Sequence, residues 1–483
     1  MLWAARRTRF LVTLAIVCVV LLSIYSLSNH STTLRRFRQS DDSDSDADKT
    51  NATYLPDADS DSSSLPTTTL CQGDDCFSGS WTRRKHPFTR IEELKPWTGC
   101  PAGTQETELE QERADAKRLL EVNNWVWTPK SGVLKEWDAE AFVVRLLKSS
   151  GGLILVGDEI SEQYFNSLVV LLRKAGITLD IGTSDYLHVI PYILKADDGE
   201  RLAKSAGVPA PRAKRPLLTY IEEGFLLSME DLKSIASRVG AISDYANWES
   251  PLPQADGWPN YVKEAVAAEQ GEYDTVLLMN TGIYWSRQYL TILKPRNRPT
   301  DEQNRLTEAY RQMVRTVSNQ LKDVGGLSIY YRATAPGHPN CAMRSSPYRN
   351  GKVAETFEDD VVGRLMRPVK TDAERELRQR WDWDLFSVHN DVWKRATLRL
   401  ERERVLTMAK PVHGPRRKKM SRWHYLDIWS QALQRPDAHY EPGEDCLNWC
   451  SPAIFDQWTL HLHHQLQLEM ENDPNARRDD ESA

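Results

Sequence analysis

Two acidic residues, Asp158 and Glu159, follow the apolar run Leu153 to Val156 after a single glycine. The run reads as a short buried strand, Gly157 as a tight turn, and Ser161 to about Lys174 as an amphipathic helix. In parallel α/β sheets, sites form where strands end and helices begin. Backbone amides at a helix start favour an anion. A serine at such a point would be activated by a histidine base, itself oriented by a carboxylate. Here the position holds Glu159, and a carboxylate there repels a developing oxyanion. Near the C-terminus, Asp445 and Asn448 stand three residues apart. Asn448 has no lone pair basic enough to take a proton near neutral pH. Asp158, Glu159 and Asp445 could instead form a carboxylate cluster suited to a cation or to a new acid–base reaction.

Other chemistry-bearing residues are weaker signals. Ser161 reads as a helix-capping hydroxyl rather than a relocated nucleophile. His439 lies close in sequence to Asp445, but a rescue role requires that the groups meet in space. Of His461, His463 and His464, helical spacing puts only His461 and His464 on one face, a weak metal signal. No metal and no cofactor is expected. The 16 Trp read first as core anchors and only second as platforms for sugar faces.

The elements that must position these residues alternate. Ile177 to Ile181, Thr275 to Met279, Leu327 to Tyr331 and His424 to Ile428 read as further strands. Glu302 to Asp323 and Pro452 to Met470 read as helices. Such alternation implies an α/β fold with a parallel sheet covered on both faces. Residues 196–216 and 342–380 are charged and irregular and read as surface insertions. Cys76 to Trp81 reads as a short lid or strand.

The ends of the chain are different. Phe10 to Leu27 is an uncharged apolar run of 18 residues, just long enough to span a bilayer. Three arginines precede it and three follow, so charge alone does not orient it. Residues 28–70 are rich in Ser, Thr and Asp and read as a disordered acidic stem. Asp41 to Asp61 alone carries a net −7, so the net −6 of the chain leaves a near-neutral body. That body gives no electrostatic case for nucleic acid, and Arg416 to Lys419 reads as a solvated loop. Beyond Cys18 in the apolar run, Cys71, Cys76, Cys100, Cys341, Cys446 and Cys450 suit three disulfides in an oxidising lumen. Six cysteines allow 15 pairings, and spacing does not choose among them. Asn51 opens a glycosylation sequon. The organisation expected is a cytosolic tail over 1–9, an anchor over 10–27, the stem, a lumenal domain over 71–475 and a disordered tail over 476–483.

Five segments, in order, carry a resemblance. They are Gly157-Asp158, Asn280 to Trp285, Tyr331 to Cys341, Arg435 to His439, and Asp445 to Pro452 with its Asp-Cys-x-x-Trp-Cys ending. Together they resemble the trichome birefringence-like, PC-esterase group of Golgi polysaccharide O-acetyltransferases, its fungal branch more than its plant branch. The resemblance implies an SGNH-like three-layer α/β/α fold. It also implies transfer of acetyl groups to or from glycan hydroxyls through an acyl-serine. In that group Gly-Asp-Ser occupies the place of Gly157 to Glu159, and Asp-x-x-His that of Asp445 to Asn448. Nucleophile and base are therefore Glu159 and Asn448 here, with Asp445 as the orienting acid. Asn280 and Arg332 match and would line the pocket, Asn280 as an oxyanion or substrate contact. The paired loss implies a catalytically degenerate relative that binds a cell-wall or secretory glycan or assists an active paralogue. The alternatives are an acetyltransferase or acetylesterase with a displaced nucleophile, or a carboxylate-based hydrolase.

These features place the chain in a Golgi or other secretory-pathway membrane as a single-pass type II protein. In intact microsomes the C-terminal domain should resist protease and Asn51 should carry glycan. Digestion of that domain without detergent would contradict this topology.

Overall fold

The computed structural model describes residues 69–95, 97, 100–240, 247–293, 302–365, 367, 381–409 and 419–471. The chain divides into two compact units at Pro66/Thr67, and every described residue lies in the second. The apolar run 10–27, the stem, Asn51 and the C-terminal tail lie outside the described residues. Among the described residues no helix is long and apolar enough to cross a membrane.

A small hairpin comes first: β1 (Gly79–Arg83) pairs antiparallel with β2 (Trp125–Pro129), with helix α1 (Glu108–Asn123) between them. Helix α2 (Ala139–Leu147) leads to β3 (Leu153–Gly157) and α3 (Glu159–Lys174). Strands β4 (Leu179–Ile181) and β5 (Val189–Leu194), helix α4 (Ala196–Ala206), β6 (Leu218–Glu222), α5 (Met229–Arg238) and α6 (Trp258–Ala267) follow. Then come β7 (Thr275–Met279), α7 (Glu302–Leu321), β8 (Leu327–Arg332), α8 (Gly351–Leu365), α9 (Leu385–Ala409) and β9 (Arg422–Leu426). A second hairpin, β10 (His439–Glu441) with β11 (Asp445–Trp449), precedes α10 (Phe455–Glu471).

The central sheet has the order β4-β5-β6-β3-β7-β8-β9. The five strands from β6 to β9 run parallel, whereas β4 and β5 pair antiparallel at one edge. The wholly parallel sheet expected from sequence is corrected there, because β4 and β5 are joined by a turn too short for a helical crossover. All five residues of β3 are buried, as a strand covered on both faces requires. Alternate side chains enter two separate cores. Leu153, Leu155, Val276 and Leu278 join Tyr164, Leu168 and Leu462 on one face. Ile154, Val156, Leu277 and Met279 join Trp258, Tyr310, Val317 and Trp393 on the other. The result is helix, sheet and helix in three layers.

Several sequence boundaries move. Helix α3 begins at Glu159, two residues early, because the Asp158 carboxylate accepts from the Ser161 amide and caps it. The stretch 196–216 is not an irregular surface insertion. It forms α4 and a turn of helix whose Arg212 is buried and donates to the carbonyls of Ser149, Leu146 and Pro216. Within 342–380, residues Gly351–Leu365 form α8, and most of the remainder from 366 on lies outside the described residues.

The six cysteines form three bridges: Cys71–Cys76, Cys100–Cys450 and Cys341–Cys446. The last holds the loop after β8 against the β10–β11 hairpin, where the His338 amide also donates to the Cys446 carbonyl (3.0 Å). Removing it by Cys341→Ser/Cys446→Ser should lower unfolding free energy by about 2–5 kcal/mol. Denaturant titration reads the loss, and a midpoint equal to the unaltered chain would show that the bridge carries no stability.

Candidate functional site

Strand β3 is flanked by β6 on one side and β7 on the other, so the chain reverses its winding direction there. Sites in open α/β sheets form outside the strand ends at such a point. The register sets Gly157 opposite Glu222 and Val156 opposite Met279. Gly157 must be glycine, since a Cβ would lie 2.3 Å from Ser161 Oγ and 2.8 Å from the Asn280 carbonyl.

A cleft of about 210 Å³ opens over these ends. Its polar walls are Glu159 and Glu162 from α3, Glu222 from the end of β6, and the hydroxyl-bearing rings Tyr220 and Tyr284. Glu159 is exposed, and its Oε2 accepts from the Tyr284 hydroxyl (3.1 Å). Burial raises the Glu162 carboxyl, helped by Glu222 and Glu159 beside it. Glu222 Oε2 meets His188 Nδ1 at 3.1 Å. Tyr284 packs on Tyr289 (4.8 Å between ring centres), and Tyr289 stacks on Trp381 (5.5 Å). No serine, threonine, cysteine or lysine lines the cleft among the described residues.

Two buried charges sit at the base of the cleft, with Asp158 among its lining residues and Arg332 behind it. Burial pushes the Asp158 carboxyl up to about 6, opposed by the nearby Arg332 guanidinium and by the Ser161 and Ile283 amides. Among the described residues Asp158 Oδ2 has no donor at hydrogen-bonding geometry. Arg332 Nη2 donates to Ser161 Oγ (3.0 Å), and its guanidinium lies over Trp458 (4.5 Å). Asn280 Nδ2 donates to the Arg332 carbonyl (2.9 Å) and to Thr334 Oγ1 (3.2 Å). Asn280 and Arg332 are 2% and 1% exposed, so they form the floor's support rather than its surface. Ser161 is 1% exposed, and its hydroxyl receives Arg332. The capping role expected of Ser161 therefore belongs to Asp158.

Asp445 and Asn448 sit together on the second hairpin. Asp445 Oδ1 accepts from the Leu447 and Asn448 amides, and Oδ2 from Asn448 Nδ2 (2.9 Å). Neither residue lines the cleft, and among the described residues no hydrogen bond joins them to Asp158 or Glu159. The hairpin touches α3 one turn further on, where the Trp449 amide donates to Gln163 Oε1 (3.2 Å). His439 is buried within the hairpin. Its Nε2 meets His338 Nδ1 at 2.6 Å, and its Nδ1 donates to the Asn448 carbonyl. It does not reach the Asp445 carboxylate, which is already filled from its own strand.

The three histidines of α10 do not share a site. His461 stacks on Phe77, His463 packs on Trp137, and His464 lies against the Cys71–Cys76 bridge. Cys71, Cys76 and His464 come within metal-ligand reach of one another. The fit fails on chemistry. The Lys135 amide donates to His464 Nδ1, so Nε2 carries the proton and donates to the Cys71 carbonyl (3.1 Å). Each sulfur is also bound to the other.

Sequence reasoning found Asp158 and Glu159 but missed Glu162, His188, Tyr220 and Glu222. The acidic pair Glu222-Glu223 before Gly224 was the available signal, because it again sets two acids and a glycine at a strand end, in the reverse order. Tyr284 lies inside the Asn280 to Trp285 segment, where sequence alone assigns it no role.

The chain is 23% identical over 353 residues to xylan O-acetyltransferase 2 of Oryza sativa subsp. japonica, an alignment covering 71% of this chain. That alignment spans 60% of the rice protein's length. It is 21% identical over 374 residues to protein trichome birefringence-like 13 of Arabidopsis thaliana, covering 71% of this chain and 74% of that protein. Both similarities support the resemblance to the trichome birefringence-like group. No family model matches the chain.

The buried ionisable groups set a pH profile. Burial raises Asp158 and Asp456 to about 6 and Glu223 to about 8. A raised carboxyl contributes stability that is full below its unfolded value and lost as pH climbs through the folded one. Burial lowers His338 and His463 to about 4 and His389 and His461 to about 3. Their contribution is full above 6.5 and lost as pH falls. The two sets oppose each other between roughly pH 4 and 6.5, and above that only Glu223 still titrates among them. Thermal unfolding should therefore peak near pH 6 to 6.5 and decline towards 8.5. Glu223→Gln should flatten that decline, and a midpoint that rises from pH 6.5 to 8.5 would contradict it.

Proposed function

We propose that this domain binds a polysaccharide within an O-acetyltransferase-like frame without forming an acyl-serine. The observation that carries the reading is the identity and setting of the nucleophile position. Glu159 faces an acidic cleft under the Tyr284 hydroxyl, while the serine nearest in sequence, Ser161, is buried with its hydroxyl receiving Arg332. The base position is matched in kind. Asn448 supplies the donor that a neutral histidine would give Asp445, but it has no nitrogen able to accept a proton. The printed name of the rice relative, a xylan O-acetyltransferase, makes a polysaccharide the reasonable ligand class. Low identity to two plant proteins suits a fungal member of the group. A type II anchor over residues 10–27, a lumenal setting and an active paralogue as partner belong to the same proposal.

One observation favours a second reading, a carboxylate-based hydrolase. Glu162 has its proton affinity raised beside Glu222 and Glu159 in one cleft. Carboxyls whose environments push their proton affinities apart can divide acid and base roles. In that case Glu159→Gln and Glu222→Gln would each abolish reducing-end release from a polysaccharide panel.

The proposal is tested with a glycan array and an acetyl-ester turnover assay on the full chain. The unaltered protein should bind a polysaccharide and turn over no acetyl ester above background. Glu159→Ser and Asn448→His should each do little, since a serine without a base is weak and a base without a nucleophile is idle. Glu159→Ser/Asn448→His together should give measurable turnover. A triad stripped of its members keeps about 10³–10⁴-fold over water from binding and oxyanion contacts. Robust acetyl-ester turnover by the unaltered chain would overturn the reading, and its loss in Ser161→Ala would favour a displaced nucleophile.

A further inference from the structure

Helix α3 carries a second stripe whose character neither its caps nor its core explains. Ile160, Tyr164, Phe165 and Leu168 face the core. Gln163, Asn166, Ser167 and Val170 recur at the i, i+3, i+4, i+7 spacing of another face. That face lines a pocket of about 120 Å³, closed on its far side by Trp97, Tyr440 and Trp449. The volume is far above the roughly 10–15 Å³ that one water needs and below the roughly 300 Å³ of a whole-ligand pocket. It suits one residue of a chain that continues over open surface, with exposed Asn166 at the mouth.

Two observations point to a ligand of definite chemistry. No ionisable carboxylate, lysine, arginine or histidine lines the pocket. Lys174 is turned onto the Trp97 ring and the Glu93 carbonyl. Three buried donors on lining residues also lack a protein partner among the described residues: Ser167 Oγ, Trp449 Nε1 and Trp97 Nε1. Buried polar groups are normally paired, so each unpaired one calls for an explanation. Ser167 and Trp449 are each 2% exposed, which rules out a simple solvent-facing surface. Aromatic rings and uncharged amide side chains on the lining match a neutral pyranose. Its C–H face packs on rings and its hydroxyls exchange hydrogen bonds.

We propose that this pocket is a saccharide subsite that holds one neutral sugar residue of the glycan. The inference rests on the glycan-binding reading above and adds where the chain is gripped. Gln163 lies one helical turn, about 5.4 Å, beyond Glu159. A chain seated in the subsite therefore runs on towards the acidic cleft.

The test uses the full chain with xylohexaose, mannohexaose and chitohexaose, read by tryptophan fluorescence and calorimetry. At least one of these should bind and perturb the emission of Trp449 and Trp97. Asn166→Phe, at an exposed position that fills the mouth without touching the core, should weaken that binding by at least about tenfold. Asn166→Ala should weaken it less while leaving the unfolding midpoint unchanged. If a hexaose binds and Asn166→Phe binds it as tightly as the unaltered chain, the subsite is wrong and the glycan reading stands. If no hexaose binds but the array finds a polyanionic glycan, the neutral subsite is again wrong. If neither the hexaoses nor the array gives binding, the glycan reading falls and takes the subsite with it.

Discussion

The opposed buried charges of Asp158 and Arg332, bridged by the Ser161 hydroxyl under the end of the central strand, are the constraint on which the site depends. One carboxylate caps α3 through the Ser161 amide and faces a guanidinium that is itself fully buried. Arg332 ends β8, holds Ser161 Oγ, lies on Trp458 of α10, and offers its carbonyl to Asn280 beyond β7. Three strand ends and two helices thus meet at these two buried charges. Removing either one leaves the other buried and uncompensated, which is destabilising. The strand ends are therefore fixed by the same group, Asp158, that lines the base of the cleft, and by Arg332 behind it.

Glu159 lies outside that lock. It is the first residue of α3, exposed, with one hydrogen bond from Tyr284. A carboxylate there interacts favourably with the helix dipole, so serine and glutamate are both compatible with the fold at this position. Asn448 is neutral in the same sense. Its amide gives Asp445 a donor and leaves the hairpin's hydrogen bonds in place. Both positions can thus change chemistry without disturbing the frame.

The central strands were legible because β3 and β7 are near-continuous apolar runs, as strands buried on both faces tend to be, and β8 keeps Leu327, Ile329 and two tyrosines around one serine. The strand–turn–helix grammar around Gly157 likewise located Asp158 and Glu159. What stayed hidden was satisfied burial of charge. Arg212 made 196–216 look like a surface loop, yet three backbone carbonyls accept its guanidinium inside the protein. Strand β6 escaped because its Thr and Tyr broke the apolar pattern. Helix α9, with charges scattered around its circumference, showed no clear apolar face. The rest of the cleft was illegible for a different reason. His188, Glu222 and Tyr284 come from separate segments, and only the sheet register brings them to Glu159.

The acids of the cleft do not all have the same physical standing. Glu159 and Glu162 begin α3, and Arg173 and Lys174 end it, a sorting of charge that the helix dipole alone favours. Glu159 therefore has a structural reason to be present. Glu162 has that reason too, but it also faces Glu222 across the cleft, and that repulsion adds to the burial that raises its proton affinity. His188 Nδ1 meets the Glu222 carboxylate from a residue held at a positive φ of 57°. A left-handed backbone at a non-glycine residue is itself unfavourable, and such strain collects at functional positions. Neither the approach of Glu162 to Glu222 nor the backbone of His188 follows from the helix dipole. The Glu162–Glu222–His188 edge, rather than Glu159 alone, is where this cleft departs from what folding requires.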